Sequence, residues 1–136
     1  MSNTIVCRTV AEDRRLSTTA RLFGVEFPRK LEPAVYGFAH LLCSRYAGGY
    51  WEFFTLDNGG FYMAPGTAAA FATSSPNGWD GELSADAFGI CCCLYAYSNL
   101  SFDEGEFPET CAEQYHLLRD FAMDHAEAAA IWQCTD

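Results

Sequence analysis

The chain has 136 residues, half of them hydrophobic and 15% aromatic, with a formal net charge of −10. That length fits one domain with one ordinary core, and that apolar content excludes a disordered chain. No apolar run approaches the roughly 20 residues that span a bilayer, and Met1-Ser2-Asn3-Thr4 lacks the basic-then-apolar order of an export signal. The expectation is a single domain, residues 1–136, in the cytoplasm and free of the membrane. The charge is unevenly spread. Residues 1–45 hold seven basic and four acidic side chains, whereas residues 46–136 hold Arg119 as their one basic residue against fourteen acids. Such a surface repels phosphate, so direct nucleic-acid binding is not expected.

In chain order, Thr4–Val10 is short and β-branched and reads as an edge strand. Glu12 to Leu22 predicts a short helix ended by Gly24. A helix begins near Glu32-Pro33, because proline suits a first turn whose N–H groups are unpaired. Val35, Phe38, Leu41 and Leu42 form its apolar face, and Gly48-Gly49 is expected to stop it. Tyr50–Leu56 and Phe61–Pro65 flank Asp57-Asn58-Gly59-Gly60 and predict a β-hairpin. Further strands are expected over Ala68–Ser74 and Trp79–Leu83, completing a small antiparallel meander. Ser84 reads as an N-cap, with Asp86 in the first turn of a helix running to Asn99 and carrying a Phe88, Cys92, Tyr95, Ala96 stripe. A loop over Phe102–Pro108 precedes a helix over Glu109–Asp124, with Cys111, Tyr115, Leu118 and Ala122 inward. Ala126–Trp132 adds a final turn or two. The order predicts an α+β fold, a small antiparallel sheet covered on one face by about four helices.

The chemistry-bearing residues are few. Seven cysteines without a C-x-x-C pair favour free thiols. Cys91-Cys92-Cys93 fan out by roughly 100° each on a helix and cannot converge on one ion, so they read as small apolar core residues. His116 and Asp120, four apart, are half a metal site at best. Glu52 stands among aromatics, where a carboxylate serves either proton transfer or structure, and the structural role is favoured. Gly48-Gly49 and Gly59-Gly60 match no phosphate-loop spacing. No catalytic residue, metal ligand or cofactor site is therefore expected. The remaining feature is the clustering of acids at Asp80, Glu82 and Asp86, and at Asp103, Glu104 and Glu106. These six are the expected partner-contact surface.

Several blocks together carry a resemblance. Arg21-Leu22-Phe23-Gly24, Leu31–Phe38, Gly48–Phe53, Asn58–Pro65, Gly81–Ile90 and Tyr115–Asp120 resemble the ArdB/KlcA antirestriction family, in order, across roughly Arg21 to His125. The cysteine triplet departs locally from the small apolar residues that relatives carry there. The resemblance implies a compact α+β domain carried on mobile elements, which protects incoming DNA from host type I restriction-modification enzymes. It brings no agreed catalytic residues. The implied partner is the host type I restriction-modification complex or an associated host factor. Two modes are open: non-covalent inhibition, by direct contact or indirectly, and an acidic DNA mimic that occupies the enzyme's DNA groove. A third reading, of another class, is an enzyme using Glu52 or a Cys/His pair.

Overall fold

The hairpin forms where the sequence places it. In the computed structural model, which describes residues 4–136, β2 (Trp51–Leu56) pairs antiparallel with β3 (Phe61–Pro65), Phe54 opposite Tyr62. Met1-Ser2-Asn3, read above for an export signal, lies outside the described residues. Gly59 closes the turn at φ 97°, a backbone state that L side chains rarely adopt. Asn58 bonds both ways: its amide donates to the Leu117 carbonyl at 3.0 Å, and its Oδ1 accepts from Gly60 N–H at 2.9 Å. The turn is thereby tied to a helix far along the chain.

β1 (Cys7–Thr9) joins the other side of β2, giving a sheet in the order β1-β2-β3. The expected single meander is not what forms. β4 (Ala70–Ser74) and β5 (Asp80–Ser84) pair only with each other, in a second, two-stranded sheet. The reason lies at the far edge of β3. Phe61 N–H donates to Gln114 Oε1 at 2.9 Å, and the Phe61 carbonyl accepts from the Tyr97 hydroxyl at 2.7 Å. Met63 N–H is met by Cys93 Sγ at 3.4 Å. Helix side chains thus satisfy the groups that a fourth strand would have used.

Those side chains come from α3 (Ala85–Leu100) and α4 (Glu106–Ala122). Ser84 caps α3 as expected, accepting from Ala87 N–H. No single stripe of α3 is apolar, because Ala87 through Leu94 are all buried. A helix apolar all round is an interior helix. The cysteine triplet shows this well. Cys91 meets Cys134, Cys92 is fully buried, and Cys93 lies on Met63. Gly89 is where α3 comes closest to β3. A Cβ there would stand 2.5 Å from Ala64 Cα and from the Met63 carbonyl oxygen, and would also strike Ala64 Cβ.

The remaining helices differ from expectation in detail. α1 spans Arg15–Phe23 after a short 3-10 turn, Glu12–Arg14. A π turn, Phe27–Leu31, leads into α2 (Glu32–Leu42). α2 ends before the predicted Gly48-Gly49, since Tyr46 turns inward and its hydroxyl accepts from Trp51 Nε1 at 2.8 Å. Leu41 is 60% exposed, whereas Ala39 and Leu42 are buried. α4 starts at Glu106, so Pro108 belongs to its first turn and not to a loop. Gln114, and not Tyr115, is the inward residue that caps β3. α5 (Ala128–Thr135) is longer than the expected final turn or two. Helices also reach both faces of the larger sheet. Phe23 and Phe27 pack on Phe61, and Phe121 packs on Tyr62 from the other side. The class remains α+β. No helix among the described residues is long and apolar enough to cross a membrane.

The approach at Gly89 generates a prediction. Gly89→Ala forces α3 away from β3 and breaks the contacts of Cys93 and Tyr97 with that edge. Overpacking of this kind costs about 1–3 kcal/mol, against the small helix-propensity gain of alanine. Urea unfolding measures it, and an unchanged or raised stability would refute the close approach.

Candidate functional site

Of the predicted acids, Asp80 and Glu82 stand exposed on β5. Asp80 Oδ1 accepts from the Ser74 hydroxyl at 2.6 Å. The two acids rim a depression of about 380 Å³ between the β4–β5 hairpin and the end of α2, where Leu41 is also exposed. Asp103 and Glu104 are exposed on the α3–α4 connection, and Glu106 is exposed at the start of α4. The two groups stand on different elements, the β4–β5 hairpin and the connection from α3 into α4.

Asp86 belongs to neither group. Its Oδ1 accepts from the Tyr62 hydroxyl at 2.7 Å, and its Oδ2 lies 2.8 Å from His125 Nε2. Glu127 N–H donates to His125 Nδ1 at 2.9 Å, so the Nε2 proton of the neutral ring points at Asp86. The chain of contacts goes on at both ends. Cys7 Sγ lies 3.6 Å from the Tyr62 hydroxyl, and the Glu127 carboxylate accepts from Ser84 N–H at 3.0 Å and from its hydroxyl. β1, β3, the start of α3 and the α4–α5 connection are thus joined through one half-buried polar network. Sequence reading missed it because Asp86 and His125 are 39 residues apart.

The electrostatics of the network are those of a strut. Burial and the hydrogen bond to Asp86 push the Tyr62 hydroxyl far up, and burial raises the Cys7 thiol. Both stay protonated at neutral pH, so neither is an activated nucleophile. Burial opposes the Asp86 charge, but the His125 and Tyr62 hydrogen bonds outweigh it and hold the carboxyl below 3.8. The Asp86 hydrogen bond in turn holds His125 above 6.5, against its burial.

The other sequence-predicted residues lie apart from this network. Glu52 is half-buried on β2 opposite Ala64. His116 and Asp120 are exposed on α4. Cys43, Cys91, Cys92, Cys93, Cys111 and Cys134 are buried, and burial pushes the Cys93 thiol up to about 12. Among the described residues, no three of His, Cys, Asp or Glu gather as a metal ligand set requires.

The described residues fold as one α+β module whose charged side chains divide between exposed groups and the Asp86 network. A solved structure described for the KlcA and ArdB proteins superimposes with a TM-score of 0.92 at 38% identity, covering 100% of this chain and 98% of that one. It is described as a novel fold with antirestriction activity against type I DNA restriction systems in vivo but not in vitro. Two antirestriction proteins KlcA of Escherichia coli are 39% and 43% identical to this chain, each over 97% of it and over 95% and 94% of their own lengths. The family model for antirestriction proteins matches residues 44–136. The chain belongs to the antirestriction protein family, and antirestriction is an inhibitory role, not a catalytic one.

The network predicts a stability window. The folded value of Asp86 is lowered, so its contribution is complete above pH 3.8 and is lost as pH falls through the folded value. The folded value of His125 is raised, so its contribution is complete below pH 6.5 and is lost as pH rises through the folded value. Asp86 keeps 41% of its side-chain exposure. Screening by water therefore limits the cost of Asp86→Asn to about 1 kcal/mol within that window. Urea unfolding from pH 3 to 9 (about the range set by ordinary Asp and His pKa values) checks this. The difference between wild type and Asp86→Asn should vanish as pH falls through the folded value of Asp86 and narrow only in part as His125 loses its proton, and a constant difference across the series would refute the assignment.

Proposed function

We propose that this chain protects incoming mobile-element DNA by lowering the activity of a host type I restriction endonuclease, acting indirectly and without covalent chemistry. The partner is the restriction-modification complex or a host factor that governs it. The carrying observation is the match, over the whole chain, to a structure described as antirestrictive in vivo but not in vitro. Inhibition that appears in the cell and not with purified components implies a further cellular participant.

The acid geometry supports this mode over DNA mimicry. Duplex DNA carries a charge per roughly 1.7 Å of axis. Here Asp80 and Glu82 stand on the β4–β5 hairpin, Asp103, Glu104 and Glu106 on the connection into α4, and Asp86 is engaged by Tyr62 and His125, so the acids make no continuous row. Each exposed pair or triplet suits a local contact with a basic patch on a partner, which steers encounter and weakens as salt rises.

Plating of unmodified phage on restricting cells, with and without the chain, tests the function. Protection is expected in cells, together with no slowing of the purified endonuclease. Neutralising one acid group (Asp80→Asn with Glu82→Gln, or Asp103→Asn with Glu104→Gln) should lower protection about tenfold, as a loss of ~1.4 kcal/mol in contact energy does. Absence of protection by the unaltered chain overturns the function. Inhibition of the purified enzyme that added DNA relieves overturns the indirect mode in favour of the mimic.

A further inference from the structure

The two edges of the larger sheet are treated differently. Gln114, Tyr97 and Cys93 fill the edge of β3. The edge of β1 is open. Asp57 N–H donates to the Val6 carbonyl at 3.0 Å, and Val10 N–H donates to the Phe53 carbonyl at 2.8 Å. By antiparallel alternation Arg8 also bonds toward β2, and Cys7 and Thr9 turn their N–H and C=O groups outward. No main-chain or side-chain partner meets those outward groups among the described residues.

Beside this edge runs a groove of about 580 Å³ between β1 and α1. Arg14, Ser17, Thr18 and Arg21 line its helical wall at spacings i, i+3, i+4 and i+7, one face of the helix. Arg8 enters from the strand. All three arginines are exposed, and none is within ion-pair distance of a carboxylate among the described residues. Nearby Arg15 is different, because it bonds the Tyr50 hydroxyl at 2.6 Å and lies on the Phe53 ring. Of the neighbouring acids, Glu12 accepts from the Tyr50 hydroxyl at 2.7 Å, and Asp13 does not line the groove. A chain of net charge −10 thus gathers three uncommitted guanidiniums beside the open edge of its larger sheet.

We propose that this groove takes an extended acidic segment of a partner protein, which adds to β1 as a further strand while Arg8, Arg14 and Arg21 bind its carboxylates. An open edge offers donors and acceptors in alternation, and an extended peptide returns both. A nucleic-acid backbone accepts but has no N–H for the outward carbonyls of Cys7 and Thr9, and the acidic remainder of this chain repels it. The inference goes beyond the antirestriction reading and stands without it, since it concerns the basic end of the charge distribution and not the acid groups.

Fluorescence anisotropy with the full chain tests it directly. The probe is a labelled heptapeptide of alternating valine and aspartate. Controls are its lysine counterpart, two versions N-methylated on alternate residues along one edge or the other, and a short single-stranded oligonucleotide. The acidic peptide should bind, more weakly as salt rises, and the lysine peptide should not. Arg14→Glu with Arg21→Glu should weaken binding about tenfold or more while leaving the circular dichroism and melting temperature unchanged. N-methylation should abolish binding along one edge only, and Thr9→Pro, which removes an outward N–H, should weaken it as well. Failure of the acidic peptide to bind overturns the proposal. So does equal tolerance of N-methylation on both edges, or binding of the oligonucleotide in place of the peptide. Self-association of the free chain that the same arginine reversals abolish would assign the groove to a second copy and overturn the external partner. Phage protection read in the same variants separates this result from the antirestriction reading, since loss of peptide binding with protection intact refutes only a role for the groove in that activity.

Discussion

The structure depends on one buried helix standing against the edge of one strand. α3 supplies Cys93 and Tyr97 to the main chain of β3, and it gets close enough only because Gly89 has no side chain. With Gln114 added from α4, the edge of β3 is closed by side chains. An edge so closed cannot be extended by β4, and that is why the strands divide into two sheets. It also explains why α3 is apolar on every side. A helix with strands, α2, α4 and α5 around it has no face left for water, and the cysteine triplet fills three of those contacts with small apolar side chains.

Charge is arranged around this frame in three ways. Exposed acids stand on the β4–β5 hairpin and on the connection from α3 into α4. Asp86, in the first turn of α3, is drawn into a network with Tyr62 and His125 that joins the N-terminal strand to the C-terminal segment. Three arginines lie uncommitted along β1 and α1. An acidic protein with a localised basic groove presents two surfaces of opposite sign. Each surface selects a partner by charge and rejects the opposite kind.

The network around Asp86 superficially has the components of a catalytic centre: a thiol, a phenol, a carboxylate and an imidazole. Its proton affinities run the other way. Burial keeps the Cys7 thiol protonated, burial and the hydrogen bond to Asp86 keep Tyr62 protonated, and Asp86 is held as the anion that accepts from Tyr62 and His125. A nucleophile needs its base to take the proton away, whereas here the proton is what the hydrogen bonds are made of.

Much of the local structure was legible in the residues. The Asn-Gly turn, the Ser84 cap, the positions of the strands and the apolar character of the cysteines follow from backbone preference and from hydrophobic period, and both act over a few neighbouring residues. The blocks from Arg21 to Asp120 carried the family. Leu41 against Leu42, Gln114 against Tyr115, and the early end of α2 at Leu42 were not legible, because each is decided by what packs against the residue from elsewhere. The same holds for the pairing of Asp86 with His125 and for the gathering of Arg8 with Arg14 and Arg21. Sequence alone determined the elements, their order and the acidic balance, since these depend on local propensity and composition. Only the tertiary structure decided which sheet edge is closed and which is open, and which charges stay free, because hydrogen-bond partners and solvent exposure are set by segments far apart along the chain.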